Sequence, residues 1–477
     1  MPIQHPFRNL SMSIDSAILA QLRRILGREN LFESMEKRIV YSTDASKAAA
    51  VLPDLIARPT STEQIAGILK LANSAGIPVY PRGAGSGLTG GAVPVRGGIV
   101  LDFEIMNKVL GIDRENMTAL VQPGVITQNL QKHVEKLGLF YPPDPASSDF
   151  CTIGGNVAEN SGGLRGTKYG STREYVMALD VVLASGEIIR IGTGAPKSVT
   201  GYDLVRLFVG SEGTLGVFTE ILLRLIPLPE HVETVLAHFP QVECAAASVC
   251  MMFSRGITPR AAELMDELAV ECVRQYKDSD VLPREGVFCL FEVDGPRFAA
   301  MDESERVVRI CEENGATNVA RATSEAEREH FWSLRRAISP ALYNLGRIKL
   351  NEDICVPRSR LAEMLARINE IGERYSLRIV NFGHIGDGSI HTNVMLEHDD
   401  EALRKKGEQA VGEIFAAAVS MGGTLSAEHG IGLTKAQYLG KEVGEKEFSV
   451  MVRLKKALDP NGILNPGKFI DVFPHSQ

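Results

Sequence analysis

The chain has 477 residues, which is too long for one ordinary hydrophobic core and predicts two or three domains. With 44% hydrophobic and 23% charged residues, its composition is that of a soluble globular protein. The formal net charge of −8 argues against nucleic acid as a partner, since that binding requires a basic surface.

The N-terminus and the cysteines indicate a cytoplasmic protein. The seven cysteines are scattered, with no CxxC pair and no haem or iron–sulfur spacing. No apolar segment of a signal peptide precedes Ile18, and no stretch reaches 18 consecutive apolar residues. The apolar positions of 18–26 instead predict an amphipathic first helix. Weak membrane association stays open, although no basic amphipathic helix supports it.

Strand patterns alternate with glycine loops from residue 50 to 228. Segment 61–75 begins with a capping residue, carries an apolar stripe and predicts a helix. Strands are predicted at 77–80, 97–103, 118–125, 178–191 and 216–229. The proline-bearing stretch 226–233 ends this block and predicts a domain boundary.

Helical patterns dominate the second half of the chain. They cover 242–252, 260–276, 297–315, 324–345, 358–375 and 400–421, and single strands are predicted at 287–293 and 353–357. This alternation predicts an α+β domain with helices on one face of a mostly antiparallel sheet.

The segment PRGAGSGLTGG (81–91) matches the dinucleotide fingerprint G-x-G-x-x-G. A Rossmann site requires a helix directly after the loop, whereas AVPVRGGIVLDF follows with Pro94 and a strand pattern. The Rossmann interpretation is therefore rejected. Glycine loops can still bind phosphate through exposed N–H groups, and similar loops occur at 152–172 and 210–217. Each loop alone is explained by a tight connection, but the three together favour a large phosphate-bearing ligand.

The segments PRGAGSGLTGG, PPDPASSDFCTIGGNVAENSGG, YGSTREYV and GSEGTLGV resemble the FAD-binding domain of vanillyl-alcohol-oxidase (PCMH-type) flavoenzymes. FWSLRRAIS, HIGDGSIH, AEHGIG and LDPNGILNPGK are similar to the branch with D-lactate dehydrogenase, D-2-hydroxyglutarate dehydrogenase and the FAD subunit of glycolate oxidase. The resemblance covers about residues 40–470.

The resemblance implies an α+β fold with a two-part FAD-binding domain, a cap domain and a C-terminal segment that returns to the FAD domain. The boundaries expected from it are a helical segment 1–48, the FAD domain 49–228, the cap 229–424 and the C-terminal segment 425–477. Ser86 and Leu88 stand where some relatives carry a histidine that bonds FAD covalently, so non-covalent FAD is expected.

The resemblance also implies a set of FAD-binding residues. They are Pro81, Arg82, Gly83, Ala84, Gly85, Ser86, Gly87, Gly90, Pro145, Ser147, Gly154, Gly155, Asn156, Glu159, Asn160, Gly162, Gly163, Tyr169, Gly170, Glu212, Gly216 and Asn465.

The sequence NFGHIGDGSIHTNV (381–394) places two histidines around an Asp-Gly turn signal. A hairpin about that turn brings the rings of His384 and His391 together. With Glu428 they would form a three-ligand site with open positions, as in catalytic zinc or a similar divalent ion, and the resemblance points to the same three residues. The alternative is a hairpin whose polar residues only satisfy one another.

A neutral histidine suits the removal of an alcohol proton, and in the resembling enzymes the position of His429 accepts the α-hydroxyl proton. Its alternative role is a structural loop histidine. Arg335 is the candidate for the substrate carboxylate, because a guanidinium binds a carboxylate bidentately, and Ser339 lies one helical turn further on. Arg336 is expected to face solvent.

Two further substrate contacts are expected. Lys349 resembles a substrate lysine of the family, although Asn351 and Glu352 intervene before the predicted strand at Asp353. Asn393 lies on the same side of its strand as His391.

These residues and the resemblance predict an FAD-dependent dehydrogenase that oxidises a 2-hydroxy acid. The D configuration, with D-lactate as the first choice, is implied by the resemblance alone. 2-Hydroxyglutarate and glycolate are alternatives, and a dicarboxylate would need a second cation such as Lys349, Arg336 or Arg347. Electrons would pass to an electron-transfer flavoprotein, a quinone or a cytochrome, and a homodimer is expected. Rival interpretations are a metal-dependent hydrolase or lyase without flavin, and a non-catalytic flavin-binding subunit.

Overall fold

The computed structural model describes residues 14–277, 279 and 281–471. Residues 1–13 of the predicted N-terminal segment and 472–477 of the predicted C-terminal segment therefore lie outside the described residues. No helix in the described ranges is both long and apolar enough to span a membrane.

The helices and strands are numbered in chain order. The helices are α1 (Ser16–Leu26), α2 (Met35–Val40), α3 (Thr62–Ala75), α4 (Thr127–Glu135), α5 (Ile153–Glu159), α6 (Gly166–Tyr169), α7 (Leu204–Phe208), α8 (Val242–Ser254), α9 (Glu267–Tyr276), α10 (Arg297–Glu313), α11 (Glu325–Arg336), α12 (Ile338–Ala341), α13 (Leu361–Tyr375), α14 (Glu401–Ser420) and α15 (Glu445–Leu458). The strands are β1 (Leu31–Phe32), β2 (Leu55–Ala57), β3 (Val79–Arg82), β4 (Ile99–Asp102), β5 (Val109–Asp113), β6 (Thr118–Val121), β7 (Leu139–Phe140), β8 (Val176–Val182), β9 (Ile188–Gly192), β10 (Val217–Arg224), β11 (Ile226–Pro227), β12 (His231–Phe239), β13 (Ala261–Met265), β14 (Val287–Gly295), β15 (Asn318–Arg321), β16 (Ile348–Cys355), β17 (Arg378–His384) and β18 (Ser389–Leu396).

The chain divides into two units, each described separately. The first unit holds the described residues up to Gly162, then Ser171–Leu228, and the chain from Glu428 onwards. The second unit holds Gly163–Gly170 and Pro229–Ala427. The sequence placed 163–170 inside the FAD-binding domain, whereas the structure groups them with the second unit.

The first unit contains a four-stranded sheet, with strand order β1-β2-β4-β3, and a five-stranded antiparallel sheet, with order β5-β6-β10-β8-β9. Helix α3 lies against the first sheet and buries its predicted stripe of Ile65, Ile68, Leu69 and Ala72. Its cap is the one predicted, because the Ser61 side chain accepts from the Gln64 N–H at 3.3 Å. An irregular loop and no helix follows β3, as the rejection of a Rossmann site required.

The second unit is built on a seven-stranded antiparallel sheet with strand order β15-β12-β14-β13-β17-β18-β16. The predicted hairpin is confirmed: β17 and β18 are antiparallel neighbours, with Phe382 opposite His391. Helices α9, α11 and α12 cover one face of the sheet and enclose a core that includes Trp332, Leu334 and Ile338.

The structure differs from the sequence predictions of secondary structure in the following places. Residues 260–265, predicted as helix, contain β13, whose five residues are all buried. An apolar run buried on both sides looks the same as a buried helix in sequence. The predicted strand at 353–357 begins at Ile348, so Lys349 lies within β16. The loop predicted at 152–172 contains the short helices α5 and α6.

Candidate active site

In the first unit, the glycine loop that follows β3 packs tightly on one side and is open on the other. A Cβ on Gly83 would lie 2.3 Å from the Thr152 hydroxyl oxygen, so only glycine allows this approach. Gly85 and Gly90 have φ angles of +68° and +83°, which favour glycine. A Cβ on Gly87 would meet nothing within 4 Å. The loop therefore offers an accessible surface of backbone.

The second glycine segment (152–172) lies beside the first and is held by hydrogen bonds. The Thr152 hydroxyl caps α5 by accepting from the Gly155 N–H at 3.2 Å. Asn156 donates from its amide to the Thr127 hydroxyl at 2.7 Å. Glu159, at the end of α5, is so close to the first loop that a Cβ on Gly91 would lie 2.9 Å from its carboxylate. Burial raises the pKa of Glu159 well above its ordinary value, and the nearby charge of Glu212 adds to this effect.

The third glycine segment carries Glu212, a buried residue with a φ angle of +51°. Its two carboxylate oxygens accept from the backbone N–H groups of Ile431 and Gly432 at 2.9 and 2.8 Å. Asn465 donates from its side-chain amide to the carbonyls of Gly91 and Glu212 at 3.0 and 2.6 Å. The glycine loop, the segment of Glu212 and the C-terminal segment therefore converge here.

This convergence fits a large polar ligand such as FAD. Among the described residues, three buried side-chain atoms in this region lack a hydrogen-bond partner: Glu159 Oε2, Ser211 Oγ and Asn465 Oδ1. Buried polar atoms are otherwise nearly always paired, so unpaired ones indicate a missing partner. Together with the accessible backbone at Gly87, they are consistent with a bound cofactor.

Other residues expected to bind FAD have different surroundings. Arg82 is buried and donates to the Thr43 carbonyl at 2.6 Å. Asn160 accepts from the Ser171 hydroxyl at 2.9 Å through its side-chain oxygen. The carbonyls of Pro145 and Ser147 accept backbone hydrogen bonds in the turn before Cys151. Gly154 and Gly216 pack closely: a Cβ would lie 2.5 Å from Pro123 and 2.4 Å from Val181, respectively.

Gly162 is the last residue of its segment of the first unit, and a Cβ there would lie 3.3 Å from a Glu428 carboxylate oxygen. Gly163, Tyr169 and Gly170 belong to the second unit. There, the Tyr169 hydroxyl donates to Asp294 at 2.8 Å. Ala84 is exposed and Ser86 is half-buried, on the accessible part of the glycine loop.

His429 lies in the first unit, on the loop that Glu212 holds. Its backbone carbonyl accepts from the Thr89 hydroxyl at 3.2 Å. The side chain is half-buried. Gly430, with φ +77°, follows it, and a Cβ there would lie 2.2 Å from a Glu159 carboxylate oxygen. The glycine lets the loop pass close to Glu159.

In the second unit, a group of polar side chains lies on one face of the sheet. Glu263 is opposite His384, His391 is opposite Asp353, and the neighbouring pair is Asn393 with Asn351. Residues at alternate positions of a strand share a face, so these residues lie on the same face of the sheet. The side chains of Glu263, His384 and His391 are all buried.

Glu263 joins His384 to Arg335, and the sequence did not indicate it because its strand was predicted as a helix. It accepts from Arg335 at 2.7 Å and contacts His384 Nδ1 at 2.5 Å. Burial opposes ionisation of Glu263, but its interactions with His384 and Arg335 outweigh this effect and lower its pKa to about 2. The available signal was a carboxylate within the otherwise apolar AAELM run.

The two histidine rings of the hairpin face each other through their Nε2 atoms, which are 3.4 Å apart. Because the Glu263 carboxylate can only accept, the proton of the neutral His384 ring lies on Nδ1. Its Nε2 atom then keeps a lone pair. Two nitrogens bound tetrahedrally to one zinc ion at about 2.0–2.1 Å are about 3.3–3.4 Å apart. The observed spacing is therefore compatible with two ligands of one divalent ion.

Asp353, opposite His391, holds the chain segment that leads to Glu428. It accepts from the Ala427 N–H at 2.7 Å and from the Ser426 hydroxyl at 3.0 Å. Glu428 follows Ala427 directly in the chain and is half-buried. Asp353 thereby fixes the residue before the expected third ligand.

The predicted substrate residues do not all have the expected partners. Arg335 is paired with Glu263, and its guanidinium lies 4.7 Å from the centre of the Phe382 ring. Ser339 was expected to accompany Arg335. Its hydroxyl instead accepts a hydrogen bond from Lys349 at 2.8 Å. The break between α11 and α12 interrupts the helical periodicity on which that expectation rested.

Two further residues were placed on a surface and in the core, respectively. Arg336 forms an exposed ion pair with Glu329, as expected for a solvent-facing neighbour. Asn393 is fully buried, and its Oδ1 has no hydrogen-bond partner among the described residues.

Two family models match the chain: an FAD binding domain over residues 53–192, and the C-terminal domain of FAD linked oxidases over residues 228–469. The chain is 42% identical to glycolate oxidase subunit GlcD of Bacillus subtilis, over 95% of this chain and 97% of that protein. It is 37% identical to a D-lactate dehydrogenase of Anaerostipes hadrus, over 87% and 89% of the two chains. It is 32% identical to a D-2-hydroxyglutarate dehydrogenase of Stutzerimonas stutzeri, over 95% and 98%.

Solved structures share the fold at low sequence identity. p-Cresol methylhydroxylase superimposes with a TM-score of 0.78 at 19% identity, over 96% of this chain and 98% of that one. Alkyldihydroxyacetonephosphate synthase superimposes with a TM-score of 0.76 at 21% identity, over 95% and 86%. The predicted PCMH-type α+β fold is confirmed.

Proposed function

The chain belongs to the FAD-linked oxidases, in the branch of glycolate oxidase subunit GlcD, D-lactate dehydrogenase and D-2-hydroxyglutarate dehydrogenase, and we propose that it oxidises a small D-2-hydroxy acid to the 2-oxo acid. It is an FAD-linked dehydrogenase, and such enzymes need a hydroxy acid substrate and an electron acceptor. D-Lactate is the first choice of substrate, with glycolate and D-2-hydroxyglutarate as the alternatives.

The observation that carries this proposal is the pair of buried imidazoles with Nε2 atoms 3.4 Å apart, one of them held by Glu263. His384 and His391, with Glu428 as the third ligand, would hold a divalent ion, with zinc the expected metal. Such an ion, when bound, acts as a Lewis acid toward the hydroxyl or carboxylate of the substrate. A hydrolase or lyase without flavin would not need the convergent glycine loops of the first unit.

FAD would be held non-covalently by the glycine loop 83–91 and by the segments around Glu159 and Asn465. When bound, it supplies the acceptor for the hydride that leaves the substrate Cα. His429 takes the proton from the substrate hydroxyl oxygen onto a ring nitrogen, as suits a neutral imidazole near neutral pH.

Arg335 orients the substrate through its carboxylate. Glu263 already accepts from this guanidinium, which keeps the fork in place while other N–H groups remain to donate. Lys349 and its partner Ser339 form a second polar position for the substrate. Asn393 offers a buried oxygen on the same sheet face as His391. A separate acceptor, such as an electron-transfer flavoprotein, a quinone or a cytochrome, would take up the electrons.

The test is anaerobic bleaching of the flavin absorbance in the metal-replete protein. D-Lactate, L-lactate, D-2-hydroxyglutarate, glycolate and malate are added one at a time, with and without a chelator. We expect rapid bleaching by a D-acid that the chelator abolishes. His429→Gln should slow the bleaching by about 10² to 10⁴-fold without loss of FAD, because the general base is missing.

The control variant is His398→Gln, which removes an exposed histidine from the same chain. It should bleach at the wild-type rate. Protein with bound FAD that none of these acids bleaches would refute the proposed activity. Bleaching that the chelator does not affect would refute the role of the metal alone.

A further inference from the structure

The loop that carries His429 is attached to the glycine loop through Thr89. The Thr89 hydroxyl donates to the His429 carbonyl at 3.2 Å. The Thr89 carbonyl accepts from the N–H groups of Leu433 and Thr434 at 2.7 and 3.0 Å. Gly432 makes this approach possible, since a Cβ there would lie 2.5 Å from the Thr89 carbonyl oxygen. The two loops are therefore in direct contact within the first unit.

Glu212 holds the middle of the same loop from a third part of the chain. Each of its carboxylate oxygens accepts from one backbone N–H, those of Ile431 and Gly432. The side chain is buried, so these two N–H groups have exchanged water for the carboxylate. Burial raises the pKa of Glu212, whereas the hydrogen bonds from these two N–H groups favour its charged form and so strengthen the anchor.

The backbone of Glu212 is itself fixed. Its N–H donates to the Ala158 carbonyl at 2.8 Å, and its carbonyl accepts from the Asn465 amide at 2.6 Å. The same amide donates to the Gly91 carbonyl at 3.0 Å. Lys468 donates to the carbonyls of Gly90 and Val93 at 2.8 and 2.6 Å. The Asn465 amide thus joins Glu212 to the glycine loop, which Lys468 also holds.

We propose that Glu212 is a positioning residue, which fixes the backbone at Ile431–Gly432 and so holds His429 at a set place relative to the glycine loop. This inference rests on the proposed role of His429 as the base. It also revises the sequence expectation that Glu212 binds FAD, because both of its carboxylate oxygens have backbone donors within the first unit. Glu212 acts through the loop and does not touch the substrate.

The decisive variant is Glu212→Gln. Glutamine keeps the size of the side chain but has one acceptor oxygen, so one of the two N–H groups loses its partner and faces another donor. A small displacement of a catalytic group costs about 10²-fold in rate. We expect flavin reduction at saturating substrate to slow by about 10 to 100-fold. The dissociation constants of FAD and substrate should stay close to those of the wild type.

The matched control is Glu174→Gln. Glu174 also accepts a backbone N–H with its carboxylate, that of Ser171 at 2.8 Å, but it lies on an exposed turn. This variant should reduce at the wild-type rate. Thr89 offers a conservative rescue: Thr89→Val should slow reduction in the same direction as Glu212→Gln, and Thr89→Ser should restore the rate.

A second readout is independent of activity. Hydrogen exchange of the Ile431 and Gly432 amides should be faster in Glu212→Gln than in the wild type, and unchanged in Glu174→Gln. Unchanged exchange, an unchanged reduction rate, or a loss of FAD in proportion to the rate would each overturn the positioning role. If no hydroxy acid reduces the wild-type flavin, the proposed function fails, and the exchange data still decide whether Glu212 holds the loop.

Discussion

At the scale of single residues, the carboxylate of Glu263 explains how two histidines and an arginine can be buried at one site. Its carboxylate accepts from Arg335 and His384, so the charges of this cluster are paired. Removing one partner of a buried ion pair leaves an uncompensated charge. The same contact selects the Nδ1–H form of His384 and directs the lone pair of Nε2 toward His391.

Glu263→Gln should therefore weaken binding of a divalent ion about 10 to 100-fold, since partners of metal-binding histidines contribute that much to affinity. The measurement is a zinc titration by calorimetry on chelator-treated protein. The control is Glu329→Gln, which removes the partner of the adjacent, exposed Arg336. Equal zinc affinity in wild type and Glu263→Gln would contradict this role. Circular dichroism checks that the variant is folded.

At the scale of elements, the start of α9 carries a buried carboxylate. Asp266 accepts from the Ala269 N–H at 2.8 Å and from the Asn381 N–H at 2.6 Å. Burial raises the pKa of Asp266 to about 7 in spite of these donors. A carboxyl group with a raised pKa contributes stability below its unfolded pKa, near 4, and this contribution is lost as the pH rises through about 7.

Asp266→Asn should remove this pH dependence. The free energy of unfolding of the wild type, relative to that of the variant, should fall by a few kcal/mol between about pH 4 and pH 8. Urea unfolding at intervals across this range measures the difference. Asp400→Asn is the matched control, because Asp400 caps α14 by accepting from the Leu403 N–H but is exposed. If the difference in the free energy of unfolding between the wild type and Asp266→Asn stays constant with pH, the expectation is contradicted.

At the scale of the whole molecule, cofactor and folding should be linked through the first unit. Its glycine loop, α5 and the C-terminal segment are joined by contacts of Glu212, Asn465 and Lys468. A ligand that binds only the folded chain stabilises it by mass action. These three segments form the proposed FAD site, which unfolding would destroy.

Removal of FAD should accordingly lower the melting temperature, and adding it back should restore it. At a free FAD concentration of about 100 times Kd, the stabilisation is about 2.7 kcal/mol. Differential scanning calorimetry of the FAD-free protein at increasing FAD concentration measures this effect. Riboflavin is the control, since it lacks the phosphates that the glycine loop would bind. A melting temperature independent of FAD would contradict the assignment of the cofactor site.

The sequence alone determined the features that depend on local pattern or on a specific motif. Helix α3, the hairpin that brings His384 and His391 together, and the glycine loop 81–91 followed by a strand were all predicted. These follow from capping residues, periodicity and turn chemistry, which act over a few neighbouring residues. The motifs likewise indicated the family, and the comparisons confirm it.

The tertiary structure decided which distant side chains become partners. Glu263 lies 121 positions from His384 in sequence, and Glu212 lies 219 positions from Ile431. No local pattern encodes such a pairing, and β13 itself reads as a helix because both of its sides are buried. Sheet register and loop packing set these contacts, so the partners that hold the candidate metal ligands and the candidate base appear only in the folded chain.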